Sequence, residues 1–380
     1  MLEIIKEFSN RGHQNILLTT DNGRKAYKAY LPADTKVTYK IIKSFRAEQR
    51  LGVFLSYLHR IYLENQLLRT LHINDEDLII CHSDFFPNSI ANRKMLNINR
   101  RAHSAAFLHM LAPSIIRGYE GEYTGRLQFP RLTIIHYRLN QWLYKKLMQK
   151  QTVIFTVNLI YEKYLKKNYP SNKVKVILSF GGASSINHKL KVRRKKYDIV
   201  WVGRFHAQKG LKDFIHIVKE VSLHIPEVKV AILGGGDYRI LKTVRQEIKR
   251  LGIQQNIEFA GFVTGDEKYD YISKSKIFAM TSHYESFGLV ILEAMSVGLP
   301  IVAYGLPVFS IYGNGIIRVP TLQTKLFATE TLKLLNDRKA YKLASNNARQ
   351  VANTHSWTST ADEMLTILGL QNSEGSIKNV

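Results

Sequence analysis

Between residues 198 and 304 short apolar runs alternate with helical stretches, and that rhythm admits few folds. "DIVWVG" (198–203) is followed by "LKDFIHIVKEVSLH" (211–224), whose Phe214, Ile217, Val218 and Val221 recur at helical spacing. Strand "VKVAILG" (228–234), helix 238–252, strand "IEFAG" (257–261) and helix 266–275 come next. Strand "KIFAMT" (276–281), helix "SFGLVILEAMSVG" (286–298) and strand "PIVAY" (300–304) complete the run. Strands separated by helices build βαβ units, so this half is expected to be α/β with a doubly wound parallel sheet.

The first half has the same pattern with more interruptions. Helix "EIIKEFSNRG" leads to strand "NILLTT" (15–20), and a long helical stretch around 48–71 precedes strand "DLIICH" (77–82). "AAFLHM" (105–110) reads as a further strand. Helix 131–149, strand "TVIFTV" (152–157), helix 158–168 and strand "KVKVIL" (173–178) follow. "GGASSINHKLKVRRKK" (181–196) has linker composition. The expected organisation is two Rossmann-like doubly wound domains with a cleft between them. Residues 1–180 form the N-terminal domain, 181–196 a basic linker, 197–355 the second domain, 356–370 a C-terminal helix and 371–380 a tail.

Charge separates the halves. Residues 1–196 hold 34 Lys and Arg against 13 Asp and Glu, a net of +21, whereas residues 197–380 have a net of +4. The excess favours an anionic partner for the first half, nucleic acid or an acidic membrane surface, over a merely solvated basic surface. The single cysteine, Cys81, excludes a disulfide framework and a Cys-based metal site. No apolar stretch reaches the roughly 18 residues that span a bilayer, and the N-terminal "MLEIIKEFSNRGHQ" lacks a signal-peptide pattern. The expectation is a soluble cytoplasmic protein, with peripheral attachment to the inner face of the cell membrane as the alternative.

Open parallel sheets bind ligands beyond the carboxyl ends of their strands. Three pieces of the second half fall there. "GRFHAQKG" (203–210) offers Arg204 and Lys209 at the start of a helix, an arrangement that holds a diphosphate. Alone, two such cations are equally compatible with a solvated surface. "GGGD" (234–237) is a strand-to-helix turn where a ligand can approach closely. "HYESFGLVILEAM" (283–295) places Glu285 before a helix expected to start near Ser286, with Glu293 about two turns inside it. The amides of Phe287, Gly288 and Leu289 then form a second anion cradle. A carboxylate accepts hydrogen bonds from two vicinal hydroxyls. Glu293 therefore suits a ribose and Glu285 a second sugar beyond the phosphates, although either alone could be solvated or salt-bridged.

The Glu-x7-Glu of "ESFGLVILE", preceded by "GRFHAQKG", resembles the retaining nucleotide-sugar glycosyltransferases of family 4, the glycosyl transferases group 1 of GT-B fold. The resemblance continues through "EFAGFVTGDE", "GLPIVAYGLPV" and "THSW", covering residues 198–360. It implies that Arg204 and Lys209, next to Gly203, bind the donor diphosphate and that Glu293 binds the ribose. Glu285 would contact the transferred sugar, supported by Phe287–Leu289, while Gly261, Phe262 and Val263 flank the base. The donor would be a UDP- or GDP-linked sugar, with no metal and no cofactor. "DLIICHSDFF" (77–86) is similar to the family's corresponding strand end, and His109 stands where the family often has a histidine lining the sugar site.

Two departures stand out. "SFGGAS" occupies the place of the family's usual Pro-Asn-Gly-Val-Asp. "LEIIKEFSNRGHQNILLTT" resembles the first helix and second strand, without the preceding first strand and glycine loop. We therefore expect a segment upstream of Met1, or a poorly stable or inactive N-terminal domain if Met1 is the start. The basic first half is the acceptor side, suited to a lipid or glycan acceptor. Helix 136–150 carries Trp142, Leu143, Leu147 and Met148 with Lys145, Lys146 and Lys150, as an interfacial helix does, although a core-packed helix with a wet basic face is the commoner origin of this pattern. The alternatives are a non-catalytic partner of a glycosyltransferase, a nucleotide-sugar epimerase, or a nucleic-acid-binding protein. No nucleic-acid module is recognisable, so no nucleic acid partner is expected.

Overall fold

The computed structural model describes residues 1–42, 52–112, 131–148, 150–169, 173–182 and 194–370. Residues 48–51 of the long helix, 183–193 of the linker and the tail 371–380 lie outside the described residues. The described chain divides into two compact units. One runs to Phe180 and resumes at Trp357; the other is Gly181–Ser356.

In the first unit, α1 (Leu2–Asn10), β1 (Asn15–Thr20), α2 (Asp21–Tyr30), β2 (Val37–Ile42) and α3 (Gly52–Leu68) lead to β3 (Leu78–Cys81). Then come α4 (Phe86–Ile98), β4 (His103–Phe107), α5 (Arg131–Leu147), β5 (Val153–Thr156), α6 (Leu159–Asn168) and β6 (Val174–Val176). The strands make two parallel sheets, β1-β2 and β3-β4-β5-β6. The central first strand that the family resemblance expects is not among the described elements. Strand β4 ends at Phe107, not Met110, so His109 sits two residues beyond it, in the loop.

The second unit follows the sequence pattern closely. It comprises β7 (Tyr197–Val202), α7 (Leu211–His224), β8 (Val230–Leu233), α8 (Tyr238–Leu251), β9 (Ile257–Gly261), α9 (Gly265–Ser273) and β10 (Ser275–Met280). Helix α10 (Leu289–Ser296), β11 (Ile301–Tyr304), β12 (Ile316–Val319), α11 (Thr324–Asn336) and α12 (Arg338–Asn353) complete it. All six strands are parallel in the order β12-β11-β10-β7-β8-β9. Every residue of β8 and β11 is buried, as a sheet covered on both faces requires. Trp201, Phe214 and Phe327 anchor the core; burying each such side chain contributes roughly 1.5–3 kcal/mol.

The last helix, α13 (Trp357–Leu368), returns to the first unit. Its Glu363 carboxylate accepts from the Leu178 and Ser179 amides at 3.0 and 2.9 Å, and Arg11 donates to the Thr358 carbonyl at 3.1 Å.

One helix departs from expectation where it matters. α10 begins at Leu289 and not near Ser286. Gly288 adopts φ 88°, a left-handed conformation that cannot continue a right-handed helix, so it serves as the N-cap. Glu293 therefore lies just over one turn inside the helix.

Candidate active site

The loops at the carboxyl ends of β7, β8 and β9 are stitched side by side. Gly203 N donates to Leu233 O at 3.0 Å, Gly234 N to Gly261 O at 2.7 Å and Phe205 N to Gly235 O at 2.7 Å. A Cβ on Gly234 would fall 1.8 Å from the Gly203 carbonyl oxygen, so only glycine fits this crossing. Phe262 follows directly, three-quarters exposed and next to Gly235, with Val263 half-buried behind it.

The loop after β10 is tied to the loop after β7. Gln208 Nε2 donates to Tyr284 O at 2.7 Å, His283 N donates to Gln208 O at 2.8 Å, and Thr281 Oγ1 donates to Gly210 O at 2.9 Å. This lacing sets Lys209, in the single 3-10 turn Ala207–Lys209, against Glu285. The two form an ion pair whose side chains are only 17% and 8% accessible. Behind it, Tyr312 is fully buried and donates its hydroxyl to Phe287 O at 3.0 Å. Burial pushes the Tyr312 phenol far up, and the Glu285 charge adds to the shift.

Glu293 takes a different lysine. Lys268 of α9 reaches its carboxylate at 2.7 Å, both side chains being about one-fifth accessible. Arg204 is exposed and makes no ion pair among the described residues. Arg204 and Lys209 both lie close to His206, whose pKa is lowered by burial and then by these two cations. Leu289, at the start of α10, is partly exposed, while Phe287 is buried.

Arg204, Lys209, Glu285, Glu293, Phe287–Leu289 and Gly261–Val263 thus all lie on the loops and helix starts at one edge of the second unit's sheet. The two glutamates are not a shared pair; each has its own lysine. Sequence reasoning missed Lys268, Gln208 and Tyr312. Lys268 lies 25 residues before its partner and no spacing rule connects them.

His109 belongs to the first unit. Its Nε2 lies 3.0 Å from the His82 carbonyl and its ring stacks on Phe107 at 5.4 Å. A carbonyl only accepts, so Nε2 carries the proton and Nδ1 is the acceptor. Burial lowers the pKa of this ring, which favours the neutral form. Among the described residues, no group of three His, Cys, Asp or Glu could hold a metal ion. No helix of the described residues is long and apolar enough to cross a membrane.

Residues 184–351 match the family described as glycosyl transferases group 1. The second unit is a group 1 glycosyltransferase domain. Over 173 residues the chain is 31% identical to a D-inositol 3-phosphate glycosyltransferase of Corynebacterium efficiens, covering 44% of this chain and 41% of that protein. It is 28% identical over 217 residues to an uncharacterized glycosyltransferase of Methanocaldococcus jannaschii, covering 53% and 55%. The matched segments thus span about half the length of these curated relatives. Among solved structures, Anabaena HepE in complex with UDP is similar at a TM-score of 0.69 and 17% identity, over 97% of this chain and 94% of that one. The fold is that of the GT-B glycosyltransferases, with two Rossmann-like domains.

Proposed function

We propose that the chain transfers a sugar from a nucleotide diphosphate sugar to an acceptor hydroxyl with retention of configuration and without a metal ion. The observation that carries this reading is the pair of lysine–glutamate contacts beside Arg204 on one sheet edge. Three cations face two carboxylates there, leaving a positive site for a diphosphate. Arg204 and Lys209 hold the phosphates, helped by the first amides of α10. Glu293 accepts from the ribose hydroxyls, and Glu285 contacts the transferred sugar. Phe262, exposed beside the glycine turn, flanks the base.

The chemistry follows from the resemblance. The bond from the anomeric carbon to the leaving phosphate oxygen breaks, and the acceptor oxygen bonds the same face. The acceptor's proton passes to the departing phosphate. The protein's part is to stabilise the negative charge that grows on the diphosphate, without supplying a nucleophile. The Nδ1 acceptor of His109 accepts from a sugar hydroxyl or steadies positive charge at the anomeric carbon in this reading. Glu285→Ala should abolish transfer while Glu293→Ala mainly weakens nucleotide binding; unchanged kinetics in both variants would sink the assignment.

A second observation supports work at an anionic membrane surface on the cytoplasmic side. Ile135, Arg138, Leu139, Trp142, Lys145 and Lys146 form one exposed stripe of α5, with Trp142 55% accessible. Leu143, Leu147 and Met148 are half-buried and lie off this stripe. Co-sedimentation with anionic vesicles tests the reading: binding that weakens with salt supports it, and no binding at low salt removes it.

A further inference from the structure

The loop that carries Arg204 and Lys209 also carries a histidine whose two ring nitrogens have different duties. Phe205 runs beside Gly236 as an isolated parallel bridge: its N donates to Gly235 O at 2.7 Å and its carbonyl accepts from Asp237 N at 3.1 Å. Along such extended backbone, successive side chains point to opposite faces. Phe205 is 5% exposed and stacks on Trp201 with ring centroids 6.3 Å apart, so it fills the core face. Its neighbours on either side, Arg204 and His206, therefore share the outward face. His206 is itself extended, at φ -140° and ψ 146°, and is half-buried where Arg204 is exposed.

His206 caps the 3-10 turn Ala207–Lys209, its Nδ1 accepting from Gln208 N at 3.3 Å. An amide nitrogen only donates, so Nδ1 carries the lone pair and Nε2 the proton. The surroundings keep the ring in this neutral form. Burial, then the Arg204 and Lys209 charges, lower its pKa, and Asp237 at the start of α8 opposes them. Asp237 is itself engaged by Arg239 at 2.8 Å, and Lys209 by Glu285. The result is an oriented, uncharged N–H donor beside two cations. A lysine ammonium is a point charge that fixes little direction, whereas an imidazole N–H whose other nitrogen is held does fix one.

We infer that His206 is a third ligand of the donor's diphosphate: its Nε2–H donates to a phosphate oxygen on the face it shares with Arg204, while Nδ1 stays committed to Gln208. The inference rests on the nucleotide-sugar reading of this sheet edge and adds to it a residue that the matched motifs do not name. One ring then does two things. Its Nδ1 side holds the turn that presents Lys209, and its Nε2 side holds the ligand.

The test is isothermal titration of UDP-glucose and GDP-mannose into the full chain, His206→Asn and His206→Gln, with the Tm of each free protein measured alongside. Asparagine puts its Oδ1 where Nδ1 was, so it keeps the cap and lacks the distal donor. Glutamine puts its amide N–H near the place of Nε2 and loses the cap. The expected result for His206→Asn is about tenfold weaker binding at an unchanged Tm. His206→Gln should bind within about threefold of the natural protein at a lowered Tm. A purely structural role predicts the reverse for the two variants. If His206→Asn does not fold, His206→Ser, which also caps, carries the same expectation. Equal binding by the natural protein and the capped variant, or equal weakening in both variants, overturns the inference and leaves the nucleotide-sugar reading standing. If the natural protein binds neither nucleotide sugar, that reading fails and this inference falls with it.

Discussion

The Lys209–Glu285 pair gives the sharpest quantitative test of the site. Lys209→Met removes the cation and leaves a carboxylate whose side chain is 8% accessible beside the buried Tyr312. Removing one partner of a buried ion pair costs about 3–5 kcal/mol, because the remaining charge is uncompensated. Lys209 is 17% accessible and carries a flexible stem, so the lower end, about 3 kcal/mol, applies. For a unit of this size, about 1 kcal/mol shifts Tm by about 2–4 °C, so the expected fall is about 6–12 °C. Glu285→Gln should cost less, about 1 kcal/mol, because the lysine can turn toward water. The double variant should be more stable than Lys209→Met alone, giving a coupling of about 2 kcal/mol. Differential scanning calorimetry of the four ligand-free proteins measures this cycle and separates the two units' transitions. A fall under 2 °C for Lys209→Met, or strictly additive effects, would refute the reasoning.

Three further outcomes follow from particular residues. The Cys81 thiol is buried and pushed up to about 12 by that burial, so a thiol reagent at pH 8 should modify it only on unfolding; prompt native labelling would contradict this. Burial lowers the Lys195 ammonium to about 8 although it donates to Ser273 O and Ser275 O at 3.0 and 2.6 Å. Its unfolded state then binds more protons between pH 8 and the ordinary lysine range, so stability should rise with pH across that window. Urea midpoints should rise less in Lys195→Met, and equal slopes would refute the assignment. Gly234→Ala forces a Cβ to within 1.8 Å of a carbonyl oxygen at φ 147° and should cost several kcal/mol. Gly252→Ala, at φ 68° with open space around it, should cost about 1 kcal/mol in the same urea series.

Most of the second unit was legible in the sequence because a doubly covered parallel sheet demands continuous apolar strands and amphipathic helices. Strand β9 and helix α7 fall where the pattern puts them. The start of α10 is not legible because "SFGLVILEAM" is apolar from Phe287 onward, and the left-handed Gly288 is a tertiary outcome: its Cβ position faces Phe309 at 3.0 Å. The apolar run around His109 overstates the length of β4 for a similar reason. Leu108 and Met110 extend the apolar run, but the chain turns at the His82 carbonyl contact. Arg204, Lys209, Glu285 and Glu293 could be named from motif and position. The lysine that each glutamate takes could not, since Lys268–Glu293 joins separate helices.

The central claim is that the carboxyl edge of the second sheet holds a nucleoside diphosphate. Isothermal titration of UDP and GDP into the full chain, the Arg204→Ala variant and the Glu293→Ala variant tests it most directly. Arg204 has no ion pair to lose among the described residues, so its variant should keep the free protein's Tm. Loss of a charge-assisted hydrogen bond worth about 1.5–3 kcal/mol should weaken binding by roughly tenfold or more. The account predicts saturable binding of one nucleotide, weakened by both substitutions. No binding of either nucleotide, or equal binding by all three proteins, would contradict it.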